Sequence, residues 1–243
     1  MLDLSIIIAT RNEQEYIGNT LRFLRKCMDE AERHGIRSEL IIVDSSEDET
    51  LKIARRYTDK AFYYPIKGVS KARNYGSRIA KGKVLAFMDG DTCLINPETL
   101  IKAYEYFRNP KIACVLTFCR SLNPELTLFQ KLFYAYDEFF IRACEFLPLL
   151  IKFYTRGDLV LIRKDIFESV NGFNEEINVL EYTDLLNKVM KHGKIRVLPI
   201  PVYETSRRLH KWGLKTHFKY WIMAFICFYF SRSAFLQIYP LIR

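Results

Sequence analysis

The sequence predicts an α/β fold in which a mostly parallel, Rossmann-like sheet is flanked by helices. Within the first 91 residues, short apolar runs alternate four times with amphipathic segments, which is the pattern of βαβ units with right-handed crossovers. The length of 243 residues is sufficient for one such domain with a sizeable core. Apolar residues make up 49% and charged residues 27% of the chain, a composition that excludes a disordered protein.

Four strands are predicted from apolar runs in the first part of the chain, at residues 5–9, 40–43, 61–64 and 84–88. Helices are predicted between them. The first covers 15–34 with apolar residues on one face, the second is capped by Ser45 and Ser46, and the third covers about 68–80. The uninterrupted apolar run at 84–88 is typical of a strand that is buried on both faces of a parallel sheet.

The elements after Pro97 are less regular. A helix is predicted at 97–108 and another from about 180 to 192, with strands at 112–116, 156–163 and 195–198. Between them, residues 126–154 form a helical stretch rich in aromatic side chains. This stretch is either a core or interface helix, or a helix that lines a lipid groove or lies on a membrane.

Polar side chains follow the predicted strands at the edge where such sheets bind ligands. They are Thr10, Arg11, Asn12, Glu13, Asp44, Asp89 and Asp91. Only Gly90 separates Asp89 from Asp91, so a sharp turn can aim both carboxylates at one point. Such a pair suits Mg²⁺ or Mn²⁺, which bind phosphate oxygens, and the alternative is a solvated Asp-Gly turn. The position of Asp44 after a strand is equally consistent with two roles, a hydrogen bond to a ribose or base edge and the cap of a helix.

A third group of polar residues lies in the first turn of the helix that begins near Ser70. Lys71, Arg73 and Asn74 occupy this turn. Because the N-terminus of a helix attracts phosphate and two cations strengthen that attraction, the turn is a candidate phosphate site. A solvated basic face is the competing interpretation.

The formal net charge of +9 indicates an anionic partner, and the chain contains neither a nucleic-acid motif nor a run of consecutive basic residues. Its six cysteines are scattered and include no Cys-x-x-Cys pair, which favours reduced thiols and a cytoplasmic protein. The first strand begins within a few residues of Met1, so no signal peptide is expected.

The last part of the chain combines basic and apolar character. Residues 207–219 are basic and residues 220–230 are nearly all apolar, although this apolar run is too short to cross a bilayer. The combination fits an interfacial helix attracted to anionic lipid, and it fits equally well a segment that packs on the domain or on a second subunit as a homodimer.

Taken in order, these motifs resemble the family 2 inverting glycosyltransferases, which have the GT-A fold and use nucleotide-diphosphate sugars. The strand and loop at 5–13 are similar to the family's first strand and nucleotide loop, and Asp44 to its nucleoside-binding acid. Residues 71–76 resemble the aRNxG segment, residues 88–91 the DxD metal motif, and residues 172–181 the GGFdE…ED region. The resemblance covers about residues 4–210.

The resemblance implies a GT-A domain at 1–210, with a nucleotide-binding half at about 1–95 and an acceptor-binding half at about 96–210, followed by a basic and aromatic helical extension at 211–243. It implies nucleotide contacts from Thr10, Arg11, Glu13, Asp44, Lys71, Arg73, Asn74 and Asp89. Asp89 and Asp91 are the ligands of Mg²⁺ or Mn²⁺ that the resemblance implies. His210 is a candidate third ligand because imidazole also binds Mn²⁺, and Arg207 and Arg208 are candidate phosphate contacts if the tail folds over the site.

One position departs from the family's pattern. The family's late helix begins with Glu-Asp, where the Asp is the catalytic base, but here the pair is Glu181-Tyr182. Tyrosine is a poor base at neutral pH. Either Glu181 or Asp184 takes the proton from an acceptor hydroxyl, or the acceptor needs no strong base because it is an ionised lipid phosphate, as in the family's polyprenyl-phosphate sugar transferases. One hypothesis is that the acceptor is a polyprenyl phosphate or a membrane-associated glycan. A cytoplasmic protein is expected, and with such an acceptor it would be peripheral on the cytoplasmic face of the membrane.

Two other functions are compatible with the fold. A sugar nucleotidyltransferase expects a glycine-rich N-terminal loop, and residues 9–13 contain no glycine. A nucleotide-sugar or lipid-binding module that has lost catalysis is supported by Tyr182 in the place of the base. Slow donor hydrolysis with Mn²⁺ distinguishes the transferase from the binding module.

Overall fold

The computed structural model describes residues 2–154, 157–177, 179–205, 213, 216, 219, 222–224 and 226–231. Its centre is a seven-stranded sheet with the strand order β3-β2-β1-β4-β7-β5-β8. The strands are β1 (Leu2–Thr10), β2 (Ser38–Asp44), β3 (Ala61–Tyr63), β4 (Gly82–Asp89), β5 (Ile112–Leu116), β7 (Leu159–Arg163) and β8 (Lys194–Val197). A small second sheet pairs β6 (Cys119–Ser121) with β9 (Val202–Glu204).

The sheet is mostly parallel, as predicted. Strands β1, β2, β3 and β4 are mutually parallel, and β5 is parallel to β8. Strand β7 lies between β4 and β5 and is antiparallel to both. The sheet therefore joins strands from both predicted halves of the domain, while the boundaries of those halves remain a prediction.

Seven α-helices with the following bounds flank the sheet in the described part of the chain: α1 (Ile17–Arg33), α2 (Thr50–Ala54), α3 (Val69–Ile79), α4 (Thr99–Glu105), α5 (Leu128–Phe146), α6 (Lys164–Ser169) and α7 (Glu181–Val189). Short 3-10 turns cover Tyr106–Arg108 and Pro148–Phe153. Helix α5 begins with a capping box in which Thr127 and Gln130 exchange hydrogen bonds.

The predicted second helix is the element that differs most. Ser45 and Ser46 do not cap it, because α2 begins only at Thr50 and has no side-chain cap. The hydroxyl of Ser46 instead donates to Asp44 Oδ1 over 2.5 Å. Strands β6 and β9 were not predicted, since three-residue strands leave no periodic signal.

Each face of the sheet has its own hydrophobic core because side chains alternate along a strand. Leu4, Ile6 and Ile8 of β1 pack against α1 and α4, while Ile7 packs on the opposite side with α3, α6 and α7. In the strand register, Thr10 pairs with Asp44, and Ala9 with Asp89. The polar ends of β1, β2 and β4 therefore meet at one edge of the sheet.

The described part of the C-terminal segment contacts the domain. Ala224 is fully buried and forms a small apolar cluster with Ile177, Val179 and Leu180, the loop that leads into α7. The Tyr229 hydroxyl donates to the carbonyl of Lys152. Among the described residues, no helix is both long enough and apolar enough to cross a membrane.

Candidate active site

The loops after β1 and β2 are tied together by hydrogen bonds. Thr10 Oγ1 donates to Asp44 Oδ1 over 2.6 Å, and the backbone N–H of Ser46 donates to Asp44 Oδ2 over 3.1 Å. The Asn12 N–H donates to Ser46 Oγ and the Glu13 N–H to Thr50 Oγ1. Asp44 is fully buried and its carboxylate is held by these donors, so the loop has one defined shape. Arg11 lies in this loop, partly exposed.

The turn between Asp89 and Asp91 is packed against the same loop. A side chain added at Gly90 would lie 3.1 Å from Thr10 Cγ2 and 3.2 Å from Glu13 Cγ, and the carbonyl of Gly90 accepts a hydrogen bond from Thr20 Oγ1. The turn is therefore closely packed on this loop, which brings Thr10 and Glu13 beside the two aspartates.

Arg73 is the residue that connects the two halves of the site. It lies on α3, is 2% exposed, and donates from Nη2 to Asp89 Oδ1 over 2.6 Å and from Nη1 to Glu181 Oε1 over 2.7 Å. Burial alone would lower the pKa of this guanidinium, but negative charge on its neighbours outweighs burial and raises the pKa above its ordinary value. Arg73 therefore stays charged and joins the end of β4 to the start of α7.

Aromatic rings enclose the Arg73 guanidinium. Its carbon lies 4.5 Å from the ring centre of Tyr182 and 5.4 Å from that of Phe173. The two rings meet edge to face at 5.2 Å, and Tyr182 also packs on Gly157, where an added side chain would lie 2.0 Å from the tyrosine ring. Cation–π contact and the exclusion of water strengthen the ion pairs of Arg73.

Tyr182 occupies the position where the family pattern has its base. The side chain is 3% exposed, and its hydroxyl has no hydrogen-bond partner among the residues that the structure describes. Burial raises the pKa of Tyr182 well above its ordinary value. A neutral, buried phenol cannot remove a proton at neutral pH, so the structure assigns this residue a packing role.

The two acids predicted as alternative bases lie in different surroundings. Glu181 is 14% exposed in its side chain and reaches the Asp89 region through Arg73. Asp184 forms an ion pair of 3.0 Å with Lys188, which in turn donates to the carbonyl of Gly172. The structure thus brings Glu181 to the turn of Asp89 and Asp91 and directs Asp184 to the turn after α6.

Asn74 and Lys71, the other predicted nucleotide contacts on α3, have different surroundings. The amide of Asn74 accepts from the Phe173 N–H over 3.0 Å and donates to the carbonyl of Phe173 and to Glu175 Oε1, both over 2.9 Å. Asn74 therefore holds the 172–175 turn beside α3. Lys71 lies partly exposed in the first turn of the helix.

Two groups of side-chain ligand atoms are candidates for a metal site among the described residues. Asp89 retains a side chain that is 38% exposed although Arg73 holds one of its oxygens, and Asp91 is partly exposed on the same turn. Two carboxylates on one turn suit Mg²⁺ or Mn²⁺. Ligand atoms of Cys119, Asp158 and Glu204 also lie within 4.8 Å of one another, but Glu204 already accepts a hydrogen bond from the Tyr134 hydroxyl.

Part of the predicted site lies outside the described residues, namely Arg207, Arg208 and His210. Two described members were missed by sequence reasoning as parts of the site, Phe173 and Gly157. The Gly-Phe turn at 172–173 is visible in the sequence, but the contact of Phe173 with Arg73 joins positions 100 residues apart. No local signal predicts such a contact.

Comparison with known proteins finds a family model and relatives that agree with one another. The model of the family described as Glycosyl transferase family 2 matches residues 5–170. A chondroitin synthase of Pasteurella multocida is 26% identical over 200 residues, which are 79% of this chain and 20% of that protein. An uncharacterized glycosyltransferase of Haemophilus influenzae is 24% identical over 199 residues, 77% of this chain and 62% of that protein. The chain thus spans a fifth of the length of the chondroitin synthase.

Solved structures of low sequence identity share the fold. S. aureus TarS 1-349 has a TM-score of 0.63 and 20% identity, with 98% of this chain and 76% of that chain covered. The mannosyltransferase PcManGT from Pyrobaculum calidifontis, solved with GDP-Man and Mn²⁺, has a TM-score of 0.62 and 18% identity, with 90% and 64% covered. TarS has also been solved with UDP-GlcNAc, with a TM-score of 0.61 and 21% identity, 83% and 58% covered.

Proposed function

Because the chain belongs to glycosyl transferase family 2, we propose that it is a metal-dependent, inverting glycosyltransferase that moves a sugar from a nucleotide diphosphate to an acceptor. The observation that carries the proposal is the edge where Asp44, Asp89 and Arg73 converge. UDP- or GDP-linked sugars are the proposed donors, since structures with this fold have been solved with UDP-GlcNAc and with GDP-Man.

The shape of the donor site follows from the loops that close it. Thr10, Arg11, Glu13 and Asp44 would position the nucleoside, because the hydrogen bonds between the two loops fix that edge before any ligand arrives. A site that is ordered in advance loses less entropy on binding. Lys71, at the start of α3, would contact the diphosphate together with the helix N-terminus.

Asp89 and Asp91 would hold the metal, with His210 as a proposed third ligand. Mg²⁺ or Mn²⁺, when bound, supplies a positive charge that stabilises the departing diphosphate. Arg73 fixes the orientation of Asp89 through its Nη2 hydrogen bond, so the second carboxylate oxygen is aimed in a constant direction. Arg207 and Arg208 are proposed to add positive charge beside the leaving group.

Among the described residues, the candidate bases on the acceptor side are all engaged or buried. Glu181 is engaged by Arg73, Asp184 by Lys188, and Tyr182 is neutral and buried. These contacts support an acceptor that is already ionised, such as a polyprenyl phosphate, whose oxygen attacks the anomeric carbon without giving up a proton. With a hydroxyl acceptor, Glu181 is the proposed base because it lies nearer to Asp89.

A membrane location follows from this choice of acceptor. A polyprenyl phosphate resides in a bilayer, and the basic segment at 207–219 would be attracted to anionic lipid at the cytoplasmic face. We therefore propose a peripheral protein at that surface.

The test is a transfer assay with UDP- and GDP-sugars and Mn²⁺, in which polyprenyl phosphate is compared with an alkyl glycoside as acceptor. We expect nucleoside diphosphate release that rises with the phosphate acceptor, and an inverted anomeric configuration in the product by NMR. Release with the alkyl glycoside alone would overturn the ionised-acceptor mechanism. No release with any donor, despite donor-dependent thermal stabilisation, would favour the second candidate, a binding module, for which Tyr182 in the base position is the supporting observation.

A further inference from the structure

The outward side of helix α5 carries an apolar surface that the proposed catalytic chemistry does not use. It consists of Leu128, Phe129, Leu132, Tyr136, Phe139 and Phe146, which we call the outer face of α5. Their exposed fractions range from 56% to 81%. The spacing of three and four residues places most of them on one side of the helix. Exposed apolar surface of this extent marks a site of interaction with another partner.

The opposite side of α5 is fixed to the protein. Ile141 and Cys144 are buried in the core, and the Tyr134 hydroxyl donates to Glu204 Oε1 over 2.7 Å. The capping box at Thr127 and Gln130 also defines where the helix begins. Because these contacts prevent rotation of the helix, the outer face of α5 stays directed away from the core.

The charges on α5 and the following turn are separated by sign. The exposed charged side chains are Lys131, Arg142 and Lys152, all cations, and of these Arg142 pairs with Glu138 over 3.0 Å. The acids of the helix are turned toward the protein: Asp137 is 6% exposed, Glu138 pairs with Arg120 and Arg142, and Glu145 pairs with Arg196 over 2.7 Å. Two exposed lysines, Lys131 on the helix and Lys152 in the following turn, thus accompany the apolar outer face of α5, and apolar surface with lysines is the combination that binds an anionic lipid surface.

The apolar surface continues beyond the helix. Leu149 and Phe153, in the turn after α5, are more than half exposed, and the ring of Phe153 meets that of Tyr229 at 6.3 Å. Ile222, Ile226 and Phe230, at intervals of four residues, are also more than half exposed. The surface thus reaches the C-terminal segment.

The charge of the whole chain is concentrated in that segment. Seven of the 37 Lys and Arg residues and none of the 28 Asp and Glu residues follow Glu204. The first 204 residues therefore have 30 basic and 28 acidic side chains and a net charge of only +2. Next to Pro148, a cleft of about 600 Å³ is lined by Lys111, Lys191 and Lys194. Lysines thus line the cleft next to the apolar surface, and the excess positive charge of the sequence lies after Glu204.

We propose that the outer face of α5 inserts into the interface of an anionic phospholipid bilayer and holds the enzyme on the membrane. This inference deepens the proposed function, on which it rests for its link to a lipid acceptor, but vesicle binding is measured without any sugar transfer. An interfacial helix buries its apolar face to a depth of roughly 5–10 Å while its lysines remain at the headgroups. A second copy of this chain is a less favourable partner for the outer face of α5, because two copies with the same positive charge repel each other.

The experiment is sedimentation of the full chain with phosphatidylcholine vesicles that contain or lack phosphatidylglycerol. We expect binding only with the anionic lipid. The double variant Phe139→Glu/Phe146→Glu is expected to lose at least ~10-fold in partitioning, since burial of one such ring contributes more than the free energy of a tenfold change. Ile95→Glu, at a 43% exposed apolar position outside this surface, is the matched control and should bind normally.

A second pair of variants isolates the charge. Lys131→Glu on α5 should weaken binding severalfold, whereas Lys52→Glu on α2, with the same change in charge, should not. A Phe139→Trp variant should show a blue shift of its emission with anionic vesicles. Equal binding by the double variant and the wild type, or no shift for Phe139→Trp, would overturn the proposal.

Two further outcomes are informative. In analytical ultracentrifugation, the wild type could form a dimer that the double variant Phe139→Glu/Phe146→Glu dissociates. Such a dimer, together with no vesicle binding, would show that the outer face of α5 contacts a second copy of the chain, and it would overturn the proposal. Donor hydrolysis separates the two inferences. Vesicle binding without hydrolysis contradicts the proposed sugar transfer but not the membrane surface, and hydrolysis without vesicle binding contradicts the membrane surface and the peripheral location but not the sugar transfer.

Discussion

The two ends of the central sheet both bury charged side chains, but they use them differently. At the amino end, Glu39 accepts from Ser5 Oγ over 2.6 Å and from the Lys81 N–H over 2.5 Å, and it pairs with Lys60. Its side chain is 6% exposed. Every described contact of this carboxylate joins one part of the chain to another, so the amino end is built for stability.

At the carboxyl end, the Asp89 carboxylate keeps an oxygen that can bind a ligand. Arg73 takes only one oxygen of Asp89, whose side chain stays 38% exposed, and Asp91 is partly exposed on the next turn of chain. Burial of a carboxylate is therefore not by itself a sign of a functional site. What distinguishes the two ends is whether the chain's own donors use up the carboxylate.

The largest effect is expected at the metal motif. Asp91→Asn should lower kcat/KM for donor hydrolysis and transfer by at least ~100-fold, because it removes one of the two charges that we propose hold a metal at the leaving group. The unfolding free energy should change little. Steady-state release of nucleoside diphosphate measures the first and urea titration the second.

Asp165→Asn is the control, since Asp165 is an exposed acid on α6 and should retain full activity. Full activity of Asp91→Asn would show that the carboxyl end of the sheet does not need Asp91 for function.

The next effect concerns the residue that joins the two halves of the site. Arg73→Met leaves Asp89 and Glu181 without their shared cation. Because Asp89 is 38% exposed, the loss should be about 2–3 kcal/mol, below the roughly 3–5 kcal/mol of a fully buried pair. Urea unfolding should show this loss. Adding Glu181→Gln should recover part of it, because one of the two stranded charges is then removed.

Arg78→Met on the same helix is the matched control. Its ion pair with Glu175 is 3.8 Å long and exposed, so the change in stability should stay below about 0.5 kcal/mol. Equal destabilisation by the two substitutions would show that Arg73 acts through the helix and not through its ion pairs.

The amino end is tested by pH. Burial alone would raise the pKa of Glu39, but hydrogen bonds from Lys60, Ser5 and the Lys81 backbone outweigh it and lower the pKa below 4.5. A carboxylate with a lowered folded-state pKa contributes stability that is complete above the unfolded-state pKa and is lost as the pH falls through the folded-state value. Glu39→Gln should therefore cost about 2 kcal/mol at pH 7, and this difference should shrink below pH 4.5.

Donor turnover at pH 7 and low temperature should be unchanged in Glu39→Gln. Glu49→Gln, at an exposed pair with Lys52, serves as the control for stability. A pH-independent difference between Glu39→Gln and the wild type would contradict the role of its charge.

Asp44 tests the comparison most sharply, because it lies at the carboxyl end and yet is fully buried like Glu39. If it positions the nucleoside, Asp44→Asn should raise the KM for the donor by about 10-fold, equal to about 1.4 kcal/mol. Ser46→Ala removes one donor to Asp44 but leaves the carboxylate, and it should change KM less than Asp44→Asn does. Equal KM values for both variants and the wild type would place Asp44 among the structural acids.

The sequence predicted the elements whose signals are local. The apolar runs that became β1, β2 and β4, the polar residues at their ends and the turn at Gly90 are all consecutive in the chain. Parallel strands bring these ends to one edge, so the convergence of Thr10, Asp44 and Asp89 could be predicted too.

Contacts between distant positions could not be predicted. The ion pair of Arg73 with Glu181 joins residues 108 positions apart, and the insertion of β7 between β4 and β5 depends on strand pairing that an apolar run does not encode. Ser46 illustrates a third limit: serine before an acidic segment predicts a helix cap, but here the hydroxyl binds Asp44.

The smallest effect is expected at Tyr182, and it determines what the acceptor end of the site requires. Tyr182→Phe keeps the ring that stacks on Arg73 and removes a buried hydroxyl that has no partner among the described residues. Stability should therefore stay the same or rise by up to about 1 kcal/mol. Transfer to a phosphate acceptor should be unchanged, since the phenol is too buried to ionise at neutral pH. A fall in kcat for Tyr182→Phe that deepens with rising pH would instead make the tyrosine the base, and the ionised acceptor would no longer be needed to explain why the chain has no aspartate there.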